Sequence, residues 1–386
     1  MIQDDSLLSR RNALKLTAAG GLAALAGCVS VTGQEDEPHD DHTNTSDDSP
    51  AEPTLPETGS QPIIDLDAQG GESVLRVVPS HHTLIGEEAS GGPLTLPEVW
   101  AWQADEHDPS VPGPLYRVRE GSEVEITLEN SGHAVPHTLH VHAVGKSWED
   151  DGSPETTGKT VRGDESQTYR LHADVPGTHF YHCHVDTHIH LEMGMYGIFR
   201  VDPAHYEQPD REYFLTMRDW DDRLHRRMGG EDVDFGMRDR NSNRYTLNGR
   251  CAPYTLHPER GCPILVESGD TVRLHLVNAG YEAHPFHTHN HRFRVVEKDG
   301  SPIPEAAQFE EDVINIAPAE RYTIEFEANS DPGLYPAHCH KVHHVMNGES
   351  YPGGLLTAIV YEEALETEQF EDVMQLAGAH FDGHDH

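Results

Sequence analysis

Polar and apolar residues alternate in short runs along most of this chain, the period-two pattern of strands with one buried face. Glu123–Leu128 shows it clearly, and so do Val74–Val78, Thr168–Leu171, Ile198–Val201, Tyr213–Met217, Val272–Val277, Phe293–Glu297 and Tyr322–Glu327. Gly, Pro, Asn and Asp separate the runs, so each predicts a short strand closed by a turn. No helical period appears before residue 363, and Glu362–Leu376 predicts a short amphipathic helix. Strands without intervening helices predict an all-β fold, most simply two sandwiches. We place them at residues 63–205 and 206–362, with the helix and a His-rich tail in 363–386.

The pattern changes before the first strand. Residues 1–28 read as a targeting segment and are set aside from the fold. Ser9-Arg10-Arg11-Asn12-Ala13-Leu14-Lys15 matches a twin-arginine export signal. The apolar run behind it ends in Leu25-Ala26-Gly27-Cys28, which looks like a lipoprotein processing site that leaves Cys28 lipidated. The expected location is the cell surface, on the outer face of the cytoplasmic membrane, with an uncleaved anchor as the alternative. Residues 29–62 are rich in Asp, Glu, Pro, Ser and Thr, too polar to offset the entropy of ordering, and predict a flexible acidic tether.

Charge narrows the partners. There are 67 acidic against 27 basic residues, a formal net charge of -40, and this excludes nucleic acid. Only five of the basic residues are lysines, a balance that resembles proteins of brines. At molar salt the Debye length is about 3 Å, so such a surface would cost little there and should self-repel at low salt.

The candidate chemistry is concentrated in His179–Met195, HFYHCHVDTHIHLEMGM. On a strand, His182 and His184 point one way and Cys183 the other, so one strand could serve two metal sites. Counting from Cys183, His188 follows at five residues and Met193 at ten. One thiolate, imidazoles and a thioether form the ligand set of a blue-copper electron-transfer centre. Upstream, PHTLHVH puts His140 and His142 on one face and His137 on the other. We therefore group His137 with Cys183, His188 and Met193, and His140 and His142 with His182 and His184. The pattern recurs: HPFHTHNH carries His284 against His287 and His289, and AHCHKVHH places His338 and His340 around Cys339, with His344 five residues beyond.

HTLHVH, YHCHVDTHIHLEM, HPFHTHNHRF and PAHCHKVHH resemble the four copper-binding motifs of the multicopper oxidases, laccase-like enzymes. With two such units the chain is similar to their two-domain branch, and the likeness spans roughly residues 70–362. The resemblance implies tandem cupredoxin-like Greek-key sandwiches. Val111-Pro-Gly-Pro-Leu-Tyr-Arg-Val-Arg-Glu-Gly-Ser-Glu-Val and Cys262-Pro-Ile-Leu-Val-Glu-Ser-Gly-Asp-Thr-Val look like their opening strands. It implies a trinuclear copper cluster on His140, His142, His182, His184, His287, His289, His338 and His340, fed with electrons through Cys183. It further implies four one-electron oxidations of a donor, reduction of dioxygen to water, about four coppers per chain, and a homotrimer with each cluster between neighbouring subunits.

Other choices stay open at this point. His284, Cys339 and His344 are candidates for a second thiolate copper, a fifth per chain, although Glu349 stands where the first unit has Met193 and Leu355 is the expected axial position. Cys251 and Cys262 are candidates for a disulfide in an exported protein; a zinc site is the weaker reading, since no Cys-x-x-Cys is present. The electron donor is a small molecule, a metal ion or a protein. A copper nitrite reductase would need neither His184 nor two intact His-x-His pairs. A lipid-anchored copper carrier would leave eight histidines without a role.

Overall fold

The computed structural model describes residues 61–378. The twin-arginine segment, Cys28, nearly all of the tether and the tail histidines His380, His384 and His386 lie outside the described residues. Each alternating run becomes part of a strand: Glu123–Leu128 lies within Glu123–Glu129, where Val124, Ile126 and Leu128 are buried and the residues between them are not. Among the described residues no helix is long and apolar enough to cross a membrane.

Four sheets make two sandwiches. In the first, one sheet runs Leu94–Ala104, Glu72–Ile85, Glu123–Glu129, Ser166–His172, Gly145–Lys146. Facing it are Ile63–Asp65, Leu115–Arg119, Tyr196–Asp202, Gly177–His182 and His140–Val141. Leu75, Trp102, Ile126 and Tyr169 meet Tyr116, Tyr181 and Phe199 between the sheets, and Cys183 belongs to the same core. In the second sandwich, the sheet containing Arg211–Trp220, Thr271–Asn278, Arg321–Glu327 and Phe293–Lys298 packs on one ordered Ile264–Val266, Leu356–Tyr361, Leu334–Cys339, His284–Thr288, Val313–Ile316. Its core includes Leu274, Phe286, Ile324, Tyr361 and Cys339.

A third apolar cluster joins the two: Leu84, Phe180, Tyr196 and Ile198 against Phe214, Trp220, Tyr254 and Val277. Polar groups ring this seam. Arg200 pairs with Glu297 across it at 3.1 Å, and Thr178 N–H donates to the same carboxylate at 2.8 Å. The charged stretch 203–240 contributes Arg211–Trp220 to the interior of a sheet. That strand runs parallel to Thr271–Asn278, and the helix Asp222–Met228 behind it is capped by Asp221. At the C-terminal end the helix is confined to Glu368–Leu376, and its Phe370 and Met374 cover Leu256, Ala358 and Val360.

Candidate metal centres

Gly177–His182 pairs antiparallel with Tyr196–Asp202, and this fixes which way Cys183 turns. The thiol is fully buried and accepts the Thr138 N–H at 3.4 Å. His137, held by a bridge to Val161, brings Nδ1 to 3.9 Å from the sulfur. The third group is His190, whose Nδ1 lies 3.1 Å from Cys183 Sγ. The donors of His137, Cys183 and His190 all lie within 4.8 Å of one another.

This corrects the sequence-based choice of His188. After Cys183 the chain turns at Asp186, in the left-handed region at φ 37°, and makes one helical turn, Thr187–His190. At about 100° per residue, positions two apart face opposite sides of a helix. His190 therefore turns inward, while His188 is exposed and its carbonyl accepts the Tyr281 hydroxyl. The methionine changes with it. Cys183 N–H donates to Met195 O at 3.2 Å and Met195 N–H to His190 O at 3.1 Å. In the second sandwich Cys339 N–H donates to Leu355 O at 3.1 Å and Leu355 N–H to His344 O at 2.9 Å. Met195, not Met193, is thus the counterpart of Leu355. Met193 is buried too, but its amide bonds Ile189 and its carbonyl bonds Trp100.

The other face of each His-Cys-His carries a tetrad. His140, His142, His182 and His184 have ring centroids 5.1 to 5.7 Å apart, and His142 Nε2 faces His182 Nε2 at 3.1 Å. His287, His289, His338 and His340 repeat the arrangement, with His289 Nε2 and His338 Nε2 also 3.1 Å apart. Backbone carbonyls set the tautomers. Nδ1–H donates from His140 to Asp151, from His182 to Cys183, from His287 to Asp312 and from His338 to Cys339. Each Nε2 is then left with a lone pair, as a metal ligand requires. Among the described residues no close group of donors combines the two tetrads.

The second sandwich also assembles His284, Cys339 and His344, all buried, with donors within 4.8 Å. His344 is the fifth residue after Cys339, as expected; Gly354, at φ +56°, lets the chain pass so close to the His344 carbonyl that a side chain there would strike it.

The donors suit a soft or borderline cation. Burial, then the neighbouring imidazoles, hold His137 down at about 2 and His190 at about 3, so both are neutral with lone pairs free. Burial pushes the Cys183 thiol up to about 11, so it needs a metal's charge to ionise at neutral pH.

Two models of the family described as multicopper oxidase match this chain, over residues 101–205 and 231–351. Together they cover more than half of it, including all eight tetrad histidines and all six triad ligands.

 The chain belongs to the multicopper oxidase family. The solved structure of a blue copper oxidase from Nitrosomonas europaea is 29% identical, with a TM-score of 0.66 over 78% of this chain and 89% of that one. The multicopper oxidase mgLAC is 27% identical, with a TM-score of 0.65 over 77% and 88%. A probable nitrite reductase-hydroxylamine oxidoreductase fusion protein from Kuenenia stuttgartiensis is 27% identical over 68% of this chain and 30% of its own length. The chain spans less than half the length of the first curated relatives it matches.

In this multicopper oxidase several groups around the triads went unnoticed in the sequence. His133 Nδ1 lies 2.7 Å from His137 Nε2 with the rings stacked, and Trp100 stands edge-on to His133, His137 and His190. His133 precedes His137 by four residues, a hint that nearness alone could have raised. Asp219, which accepts from His284 Nε2 at 3.2 Å, is remote in sequence and left no such hint. Burial alone would raise the Asp219 carboxyl, but His284, Arg240 and Arg218 hold it far below the usual carboxylate range. Glu155 reaches His184 Nδ1 at 3.3 Å. The disulfide expectation is overturned. Cys251 and Cys262 are free thiols in different apolar clusters, directed at the carbonyls of Tyr245 and Leu247.

Proposed function

We propose that the protein is a copper-dependent oxidase that takes single electrons from a donor and reduces dioxygen to water. What carries this reading is the double use of each His-Cys-His: the cysteine turns into a buried triad while its two neighbours join an open tetrad. His137, Cys183 and His190 would hold the first copper, and buried Met195, whose backbone pairs with Cys183 and His190, would offer a thioether to it. His140, His142, His182 and His184 would hold half of a trinuclear cluster, and His287, His289, His338 and His340 the other half. Bound copper would supply the redox chemistry, in which four electrons and four protons convert one dioxygen into two waters. Cys183 is bonded through the backbone to His182 and His184, so the chain offers a direct path from triad to tetrad. Glu155, 3.3 Å from His184, and Asp151, 3.5 Å from His140, are carboxylates beside the first tetrad that would pass protons to it.

The cluster is completed between copies. The two tetrads remain separate within one chain, and each has exposed aromatic surface near its rim. Trp148, in the loop that supplies the Asp151 carbonyl, is 66% exposed, and Phe309, on the strand leading to Asp312, is 46% exposed. A contact of the first sandwich on the second sandwich of the next chain is heterologous and closes into a ring, here a homotrimer. Four coppers per chain follow, and a fifth where His284, Cys339 and His344 are filled. Twin-arginine export and a lipid on Cys28 would place this ring at the outer face of the cytoplasmic membrane. The donor is a small molecule, a metal ion or a protein.

Oxygen uptake by copper-reconstituted protein with a panel of donors tests the proposal, alongside nitrite as the alternative acceptor, which the Kuenenia relative's name suggests. Dioxygen-dependent turnover lost in Cys183→Ser is the expected outcome; turnover that requires nitrite would replace this reading with a reductase.

A further inference from the structure

The second triad is joined to the first by a buried chain of charges. Asp219, next to last in the strand Arg211–Trp220, has no exposed side-chain surface. Its Oδ1 accepts from His284 Nε2 at 3.2 Å and from the Tyr281 and Glu282 amides at 2.9 and 3.1 Å. Its Oδ2 faces Arg240 Nη2 at 2.6 Å. Arg240 Nε turns the other way, to Glu192 Oε2 at 3.0 Å, and Arg218 meets that same oxygen at 2.9 Å. Glu192 is fully buried and lies between His190 and Met195, so it belongs to the segment that shapes the first triad. Its other oxygen takes the Asp221 amide at 2.7 Å, and Arg218 also bonds the Leu191 carbonyl at 3.0 Å.

Two carboxylates and two guanidiniums balance, but burying such ions carries a desolvation cost that an apolar cluster holding the seam would avoid. The two triads also differ where the network touches them. His137 leans on neutral His133, whereas His284 leans on a carboxylate. A carboxylate on Nε2–H fixes the tautomer, directs the Nδ1 lone pair towards Cys339 and His344, and makes the imidazole a stronger donor. Leu355, which takes the backbone place that Met195 has in the first sandwich, offers no sulfur.

We propose that Asp219 is a positioning residue for His284, and that through Arg240 and Glu192 it couples the two cysteine–histidine triads of one chain. The proposal rests on reading both triads as copper sites.

The test uses full-length protein reconstituted with copper alone. Asp219→Asn and Asp219→Glu are made in Cys183→Ser, where only the second triad can give thiolate-to-copper absorption, and in Cys339→Ser, where only the first can. In Cys183→Ser, Asp219→Asn is expected to weaken copper binding at the second triad about 10- to 100-fold, with Asp219→Glu recovering most of it. In Cys339→Ser, Asp219→Asn is expected to shift the first triad's absorption and paramagnetic resonance while its copper stays bound, which also shows that the variant folds. Unchanged affinity at the second triad, or no thiolate band there with Asp219 intact, overturns the positioning role. An unchanged spectrum at the first triad overturns the coupling. The oxidase reading is judged separately, by oxygen uptake of the unsubstituted protein.

Discussion

His188 and His190 differ by two positions and by the side of the chain they face, and mutation separates them. His190→Ala is expected to abolish the blue colour of the first site and most oxidase turnover. His188→Ala is expected to keep the colour, because its ring is exposed and only its carbonyl is engaged. The methionines divide the same way: Met195→Leu should change the potential and spectrum of the first site. Met193→Leu should act only through packing, at less than about 1.5 kcal/mol. Visible spectroscopy and unfolding curves of the four variants read all of this. The thiols give a second test at this scale. Alkylation of denatured, unreduced protein followed by mass analysis is expected to label both Cys251 and Cys262, and a bridged peptide would refute it. In the native state both should resist alkylation, since burial raises each thiol to about 12.

At the scale of elements, the strand Tyr196–Asp202 of the first sandwich is tied to Phe293–Lys298 of the second by Arg200 and Glu297. Both are largely buried, so Glu297→Ala leaves a buried guanidinium short of its partner and should destabilise by about 3–5 kcal/mol. Burial pushes the Glu297 carboxyl up, but Arg200 and His275 pull it below its ordinary value. A carboxyl depressed in the folded state contributes its full stability above the unfolded value of about 4.3, and loses it as pH falls through the folded value. The gap in melting temperature between wild type and Glu297→Ala should therefore be widest near neutrality and narrow as the pH drops below about 4.3.

For the whole molecule, the net charge of -40 sets the conditions for folding and assembly. Screening shortens from about 10 Å at 0.1 M salt to about 3 Å at 1 M, so melting temperature and trimer content should both rise across that range. Sedimentation and thermal melts at several salt concentrations measure it; a trimer insensitive to salt would argue that the acidic surface lies away from the contacts. Trp148→Asp should weaken the proposed ring. The expected product is a monomer that keeps the colour of its Cys183 site and loses oxygen reduction, because each tetrad lacks its complement.

Strand register is a local property, and that is why so much of the site could be read from one chain. Period-two geometry places His182 and His184 opposite Cys183 whatever the sandwich around them, and it does the same for His338, Cys339 and His340. The spacing after Cys183 could not be read this way. Both His188–Met193 and His190–Met195 satisfy a five-residue interval, and the choice is made by the turn at Asp186 and by the pairing of Cys183 with Met195. Cys251 and Cys262 are near in sequence, yet they enter different apolar clusters. Asp219, Arg240 and Glu192 meet only because the two sandwiches close on one seam. Alternation and spacing are written by neighbours along the chain, whereas the facing of a single helical turn, the partner of a buried charge and the fate of a thiol are settled by packing between segments far apart in sequence.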